Sequence, residues 1–159
     1  MNLLAGLNHT FIIDDTYNSS PEACVAALNV LGNIRISEDG KKYVVLGDMM
    51  EIGDYTEEGH KLVGRKIAEL KLDYLIVVGE RAKFIAQGAK ENGLLEVQIF
   101  NFENTKEASD FLLGKLNNGD VILVKGSQFM RMEKIVKILM AEPERSKELL
   151  VRQGSEWEE

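Results

Sequence analysis

The sequence predicts a three-layer α/β/α domain on a mainly parallel sheet of five to six strands. Three observations carry that prediction. Five short runs rich in Val, Ile and Leu recur along the 159 residues, and several lack strict alternation, as strands covered on both faces do. Segments with helical periodicity separate the runs. Several of those segments begin with capping signals, and strands alternating with helices imply right-handed crossovers and a parallel sheet.

The first residues, MNLLAGLN, read as a short antiparallel edge strand that turns near Gly6 to Asn8. The first apolar run is TFIIDD at 10–15. Ser20 before Pro21 is an N-cap with proline at the first helical position, and Ala23, Ala26, Ala27, Val30 and Leu31 make the buried stripe. The second run is YVVLGD at 43–48, followed by Thr56 ahead of Glu57 and Glu58, which suit the positive end of a helix dipole. Val63, Ile67 and Leu70 form that helix's stripe. The third run, YLIVVG at 74–79, precedes a less regular helical stretch from Ala82 through Ile85 to Ala89. The fourth, EVQIF at 96–100, leads to Asn104 and Glu107 in capping-box spacing and a stripe of Ala108, Phe111, Leu112 and Leu116. The fifth, DVILVK at 120–125, is followed by a stripe of Met132, Ile135, Val136 and Leu139.

The domain is expected to span 1–141, with 142–159 as an acidic extension. From Ala141 onward the chain carries six acids and three bases, which predicts a solvated helical tail that frays at its end. Trp157 either anchors that tail or is exposed in it.

A net charge of −7 argues against a nucleic-acid face or an anionic membrane as partner. It leaves nucleotides open, because a few local donors hold them. No apolar run approaches about 18 residues and no signal-peptide pattern is present, so the reading is a cytoplasmic protein. Cys24 is the only cysteine and falls in an alanine-rich amphipathic run, where a buried inert thiol is expected.

In open parallel sheets ligands bind outside the carboxyl ends of the strands. Those ends read Asp14-Asp15-Thr16-Tyr17-Asn18, Gly47-Asp48-Met49-Met50-Glu51, Gly79-Glu80 and Lys125-Gly126-Ser127. A strand-end carboxylate can accept from ribose hydroxyls or hold a cation. Asp14 reads as a local cap for the following loop and Asp15 as the ligand residue. Asp48 either starts a turn or serves the site, and a lone His60 near the core is by default a structural residue. Lys125 reads as functional, since burying an unpaired ammonium is costly. The chain has no G-x-x-x-x-G-K-[ST] and no G-x-G-x-x-G, no Cys/His metal cluster and no Ser-His-Asp arrangement. Taken alone, the spacings describe a nucleotide- or small-molecule-binding α/β domain, with no catalytic residue and no metal ligand named.

Three motifs in order, IIDDTYNSSPEA, VVLGDMMEIGDYTEEGH and VILVKGSQFMRME, span 12–133. Together they resemble the C-terminal domain of the Mur ligases, in the branch that adds D-alanyl-D-alanine. The resemblance covers essentially the whole chain, but only the third of that family's three domains. It implies a Rossmann-like fold and a role in peptidoglycan biosynthesis. It further implies a reaction in which ATP, with Mg²⁺, activates a UDP-MurNAc-tripeptide carboxylate as an acyl phosphate and the D-Ala-D-Ala amine attacks it. The implied partners are the UDP-sugar and ATPase domains, the nucleotide and the dipeptide. By position, the resemblance assigns Asp15, Tyr17 and Asn18 to the nucleotide. It assigns Asp48, Glu51, His60, Lys125, Ser127 and Arg131 to the border of the dipeptide site.

Alone, such a domain is expected to be inactive and to bind no cofactor tightly. Two alternatives stand beside it. One is a binding module pairing in trans with a separate ATPase domain. The other is a receiver-like phosphoacceptor domain, which also has an acidic pair after its first strand and a lysine after its fifth.

Overall fold

A computed structural model describes residues 1–158. Among them, six strands form one sheet: β1 (Asn2–Ala5), β2 (Phe11–Asp15), β3 (Lys42–Gly47), β4 (Tyr74–Val78), β5 (Ile99–Phe102) and β6 (Val121–Lys125). Their order is β1-β2-β6-β3-β4-β5. Every neighbouring pair is parallel except β1 with β2, where Asn2 faces Asp14 and Ala5 faces Phe11. The expected antiparallel edge strand is therefore present.

The helices are α1 (Pro21–Asn33), α2 (Thr56–Glu69), α3 (Lys83–Glu91), α4 (Thr105–Lys115), α5 (Glu133–Leu139) and the single-turn α6 (Ser146–Leu149). From β2 to β5 the parallel strands advance in one direction, and α1, α2 and α3 cover one face of the sheet. The β5-to-β6 connection runs back, so a right-handed crossover must place α4 on the opposite face, where α5 joins it. Alternation follows from this burial. Val44, Leu46 and Leu123 face the first layer, while Tyr43, Val45 and Ile122 face the second.

Local signals explain most boundaries. Ser20 Oγ accepts from the Ala23 amide at 3.2 Å with Pro21 at the first helical turn, and Asn104 Oδ1 accepts from the Glu107 amide at 2.9 Å. Thr56 opens α2 with Glu57 and Glu58 in the first turn, as expected, while its hydroxyl donates to the Gly53 carbonyl at 2.7 Å and closes the preceding turn. The strand of the fourth run, β5, lies later than that run suggests. Glu96–Gln98 form a 3-10 turn, and the Gln98 side chain donates to the Asp73 carbonyl at 2.9 Å and accepts from the Leu95 amide at 3.0 Å.

Helices α2 and α3 approach closely at two glycines. A Cβ on Gly64 would lie 2.1 Å from the Ile85 carbonyl oxygen, and one on Gly88 would lie 2.4 Å from that of Lys61. Both obstacles are backbone, so the helices themselves would have to separate. Gly64→Ala is expected to destabilise the domain by about 1–3 kcal/mol despite its better helix propensity. A urea midpoint at or above that of the parent chain would contradict this packing.

The tail departs from the expected solvated extension. Ser146 and Leu150 are buried, and Leu150 joins the core layer of α4 and α5. Arg152 then donates to the backbone carbonyls of Thr16 and Tyr17, in the loop after β2. Residues up to 158 thus fold back onto the body. Net charge predicts solvation, but a few apolar and arginine contacts outweigh it.

Candidate functional site

Because β6 returns between β2 and β3, its carboxyl end meets both of theirs. Asp15 and Lys125 are register partners on adjacent strands. Lys125 is 3% exposed, and its ammonium donates to Asp15 Oδ2 at 2.7 Å and to the Asn18 carbonyl at 2.8 Å. The costly group is therefore paired, and it ties the loop after β2 to β6. Asp15 stands at the rim, with its Oδ1 3.6 Å from the Met1 amino group.

Asp14 points to the other side of the strand and is buried. Its Oδ1 accepts from the Thr16 amide at 3.2 Å and the Thr16 hydroxyl at 2.7 Å, a local cap. Burial raises its carboxyl above the ordinary value, more than the Thr16 bonds lower it. Cys24 is likewise buried, and burial pushes its thiol up.

The segment after β3 is held from behind. Asp48 Oδ1 accepts from the Ala82 amide at 2.7 Å, where α3 begins. Gly79 permits this with a φ of 108°, since a Cβ there would lie 2.5 Å from the same oxygen. Asp48 is thus buried as a structural acceptor, not presented to the cleft. Asp48 is the aspartate a receiver-like domain would have to phosphorylate, and here one of its oxygens is held by a backbone amide.

His60 is held in a similar way. It is 0% exposed, its Nε2 accepts from the Met49 amide at 3.0 Å, and its Nδ1 donates to the Thr56 carbonyl at 2.6 Å. With both nitrogens used, the ring positions Met49 and presents no free nitrogen to a ligand. Burial lowers its pKa, more than the Thr56 bond raises it, which favours the neutral tautomer these bonds require. A depressed folded pKa stabilises the fold above 6.5 and loses that stability as pH falls through the folded value. His60→Ala is expected to cost about 2–4 kcal/mol at pH 7.5 and to remove part of the decline towards pH 5. Urea midpoints across that range check both; a variant that keeps the parent's full slope contradicts the second.

Ser127 links the two loops: its amide donates to the Asp48 carbonyl at 3.1 Å and its hydroxyl accepts from the Met50 amide at 2.7 Å. Glu51 is exposed, with a φ of 62°. Arg131, with a φ of 53°, is turned away from both loops. Its Nε donates to Glu133 at 2.6 Å, and its guanidinium lies 5.0 Å from the Trp157 ring centre. Beside Glu133 stands Arg152, which donates to its other oxygen at 2.9 Å.

Two neighbouring depressions share Asn18. One, of about 400 Å³, includes Asp15, Tyr17, Ser20 and Lys125. The other, of about 370 Å³, includes Met50, Glu51, Ser127, Phe129 and Trp157. Tyr17 and Phe129 are 70% and 80% exposed, so aromatic faces stand open on both. Sequence reasoning missed Gln128, Phe129 and Arg152. An aromatic side chain just after a glycine-containing strand-end loop was the available signal for Phe129; nothing local marks Arg152.

The cleft offers a rim carboxylate, hydroxyl and amide groups and aromatic walls. Among the described residues, no group of three or more His, Cys, Asp or Glu could hold a metal ion. Among them, too, no helix is long and apolar enough to cross a membrane.

Comparison with known proteins gives this geometry its context. The family described as Mur ligase, glutamate ligase domain matches residues 1–128. The UDP-N-acetylmuramoyl-tripeptide–D-alanyl-D-alanine ligase of Bacillus subtilis is 36% identical over 132 residues, 83% of this chain and 28% of the relative. The ligase of the same name from Synechocystis is 34% identical, covering 82% and 28% respectively. Among solved structures, the MurF ligase of Thermotoga maritima in complex with ADP superposes with a TM-score of 0.71 at 27% identity, over 91% of this chain and 31% of that one. A MurF structure from Acinetobacter baumannii gives 0.72 at 32% identity, over 85% and 29%. The chain therefore spans between a quarter and a third of the length of these relatives. On its sequence match, its sheet order and the superposition, the chain belongs to the Mur ligase family, to which it contributes the C-terminal, glutamate ligase domain.

Proposed function

We infer that this domain forms the nucleotide- and amino-substrate-facing lip of an ATP-dependent ligase that joins D-alanyl-D-alanine to a UDP-N-acetylmuramoyl-tripeptide. The observation that carries the reading is the Lys125–Asp15 pair at the β2–β6 junction, which sets a carboxylate at the rim of an open cleft. Support also comes from the Thermotoga maritima relative, whose structure holds ADP.

In this reading Asp15 accepts from the ribose hydroxyls, and Lys125 fixes its orientation. Tyr17 and Asn18 face the nucleotide or its phosphates. Glu51 and Ser127 border the incoming dipeptide, and Arg131 acts from behind through Trp157. Asp48 and His60 are positioning residues that fix the 48–50 loop. ATP supplies the phosphoryl group that activates the tripeptide carboxylate. This domain closes over the reacting groups, excludes water and seats the amine. The UDP-sugar and ATPase domains are its partners, Mg²⁺ is assigned to them, and the setting is the cytoplasm.

The 159-residue chain, mixed with ATP, Mg²⁺, UDP-MurNAc-tripeptide and D-Ala-D-Ala, is expected to release no phosphate. Its affinity for ATP by calorimetry is expected to be weaker than micromolar, because this cleft has no phosphate cradle. Turnover by the chain alone, or micromolar binding, would overturn this division of labour.

A further inference from the structure

Trp157 lines a second cavity, of about 340 Å³, with a different character. Lys134 and Lys137 stand one turn apart on α5, and Arg131 lies just before that helix. Lys147 reaches the cavity from α6, and Arg152 from the chain beyond it. Glu158 is the one carboxylate among the described lining residues. Five cationic side chains thus converge in a chain of net charge −7. Lys137 and Lys147 add positive charge beside the Arg131–Glu133–Arg152 triad, and a bound anion relieves the repulsion among like charges.

Buried Glu133 answers part of this charge, through Arg131 and Arg152. It leaves one group unanswered. The Arg152 side chain is 5% exposed and its two terminal nitrogens are engaged, yet its buried Nε–H has no acceptor among the described residues. Lys137 meets Gln153 only at 3.5 Å, the outer limit of a hydrogen bond.

We propose that this cavity is a binding site for an oligophosphate, a ligand with two or more linked phosphoryl groups. Guanidinium forks match phosphate oxygens, and ammonium groups add point charges around them. Trp157 is the one large apolar side chain in the lining, so charge decides recognition. The volume falls in the range of small-molecule sites, about 300–1,000 Å³, and exceeds what a lone simple anion fills. Every lining residue lies beyond position 128, where the family match ends, and Trp157 is the one lining residue shared with the depressions of the cleft proposed above. The two are adjacent, and Arg152 holds the carbonyls of Thr16 and Tyr17.

Trp157 is the sole tryptophan and lines both the cavity and the cleft, so its fluorescence reports binding and the variants below assign it to one of the two. Pyrophosphate titrated into the chain at constant ionic strength is expected to give a saturable change, and orthophosphate to bind at least tenfold more weakly. The double variant Lys137→Glu/Lys147→Glu, whose altered side chains line this cavity and not the cleft, is expected to weaken pyrophosphate at least tenfold. No saturation, or unchanged affinity in a folded double variant, overturns the site. Equal affinity for orthophosphate overturns the oligophosphate assignment. Amide chemical shifts of the parent chain decide the same question without a variant: pyrophosphate must move residues 131–157, and if it does not, the proposal fails.

Discussion

Glu133→Ala is expected to destabilise the domain by about 3–5 kcal/mol, more than any surface substitution. Glu133 is fully buried between two guanidinium groups, and its removal leaves Arg131 and Arg152 facing each other without their shared counter-charge. The damage should spread, because Arg152 also holds the loop after β2 and Arg131 holds Trp157. A pH dependence accompanies it. Burial acts to raise the Glu133 carboxyl, but the bonds from Arg152 and Arg131 outweigh it and leave the pKa below the ordinary 4.5. A depressed folded pKa means the stabilisation is complete above 4.5 and is lost as pH falls through the folded value. Urea midpoints between pH 7 and pH 3 check both statements. A cost below about 1 kcal/mol at pH 7 would place the triad among interactions that solvent already screens.

Lys125→Met is expected to cost about 3 kcal/mol, the lower end for a broken buried pair because Asp15 keeps some contact with water. The substitution removes the donor to the Asn18 carbonyl as well as the partner of Asp15. Adding Asp15→Asn should recover part of the loss, since the stranded charge is then gone. A double-mutant cycle on these two positions isolates the pair, and additive costs would show that they do not interact. The cycle also separates roles. If Asp15 serves nucleotide and Lys125 serves Asp15, each single variant weakens nucleotide binding, although only one of the two residues touches the ligand.

The parts legible in the sequence are those written in local patterns. Ile12, Val44, Val77 and Leu123 sit in runs buried on both faces, so composition alone marks the parallel strands. Ser20 and Asn104 mark their helices because a cap needs only three residues. The two aspartates that end β2 separate as their alternation along a strand requires. Other features rest on long-range pairing that no window of sequence displays. Arg152 and the Thr16 carbonyl are 136 positions apart, and the tail's acidic count points to solvent instead. His60 shows the limit of positional transfer. Its spacing from Val63 and Ile67 described a core residue, and the structure buries it there, although position in the motif suggested the dipeptide site. Asp48 is the same case, with a backbone amide of α3's first turn as its partner.

The central claim is that the β2–β6 junction is the nucleotide-facing lip of a ligase cleft, and amide chemical-shift mapping with ADP tests it most directly. The account predicts weak, saturable shifts grouped at Asp15–Asn18 and Lys125–Ser127, lost in Asp15→Ala while the fold is retained. Shifts centred elsewhere, or an Asp15→Ala chain that responds as the parent does, would contradict it.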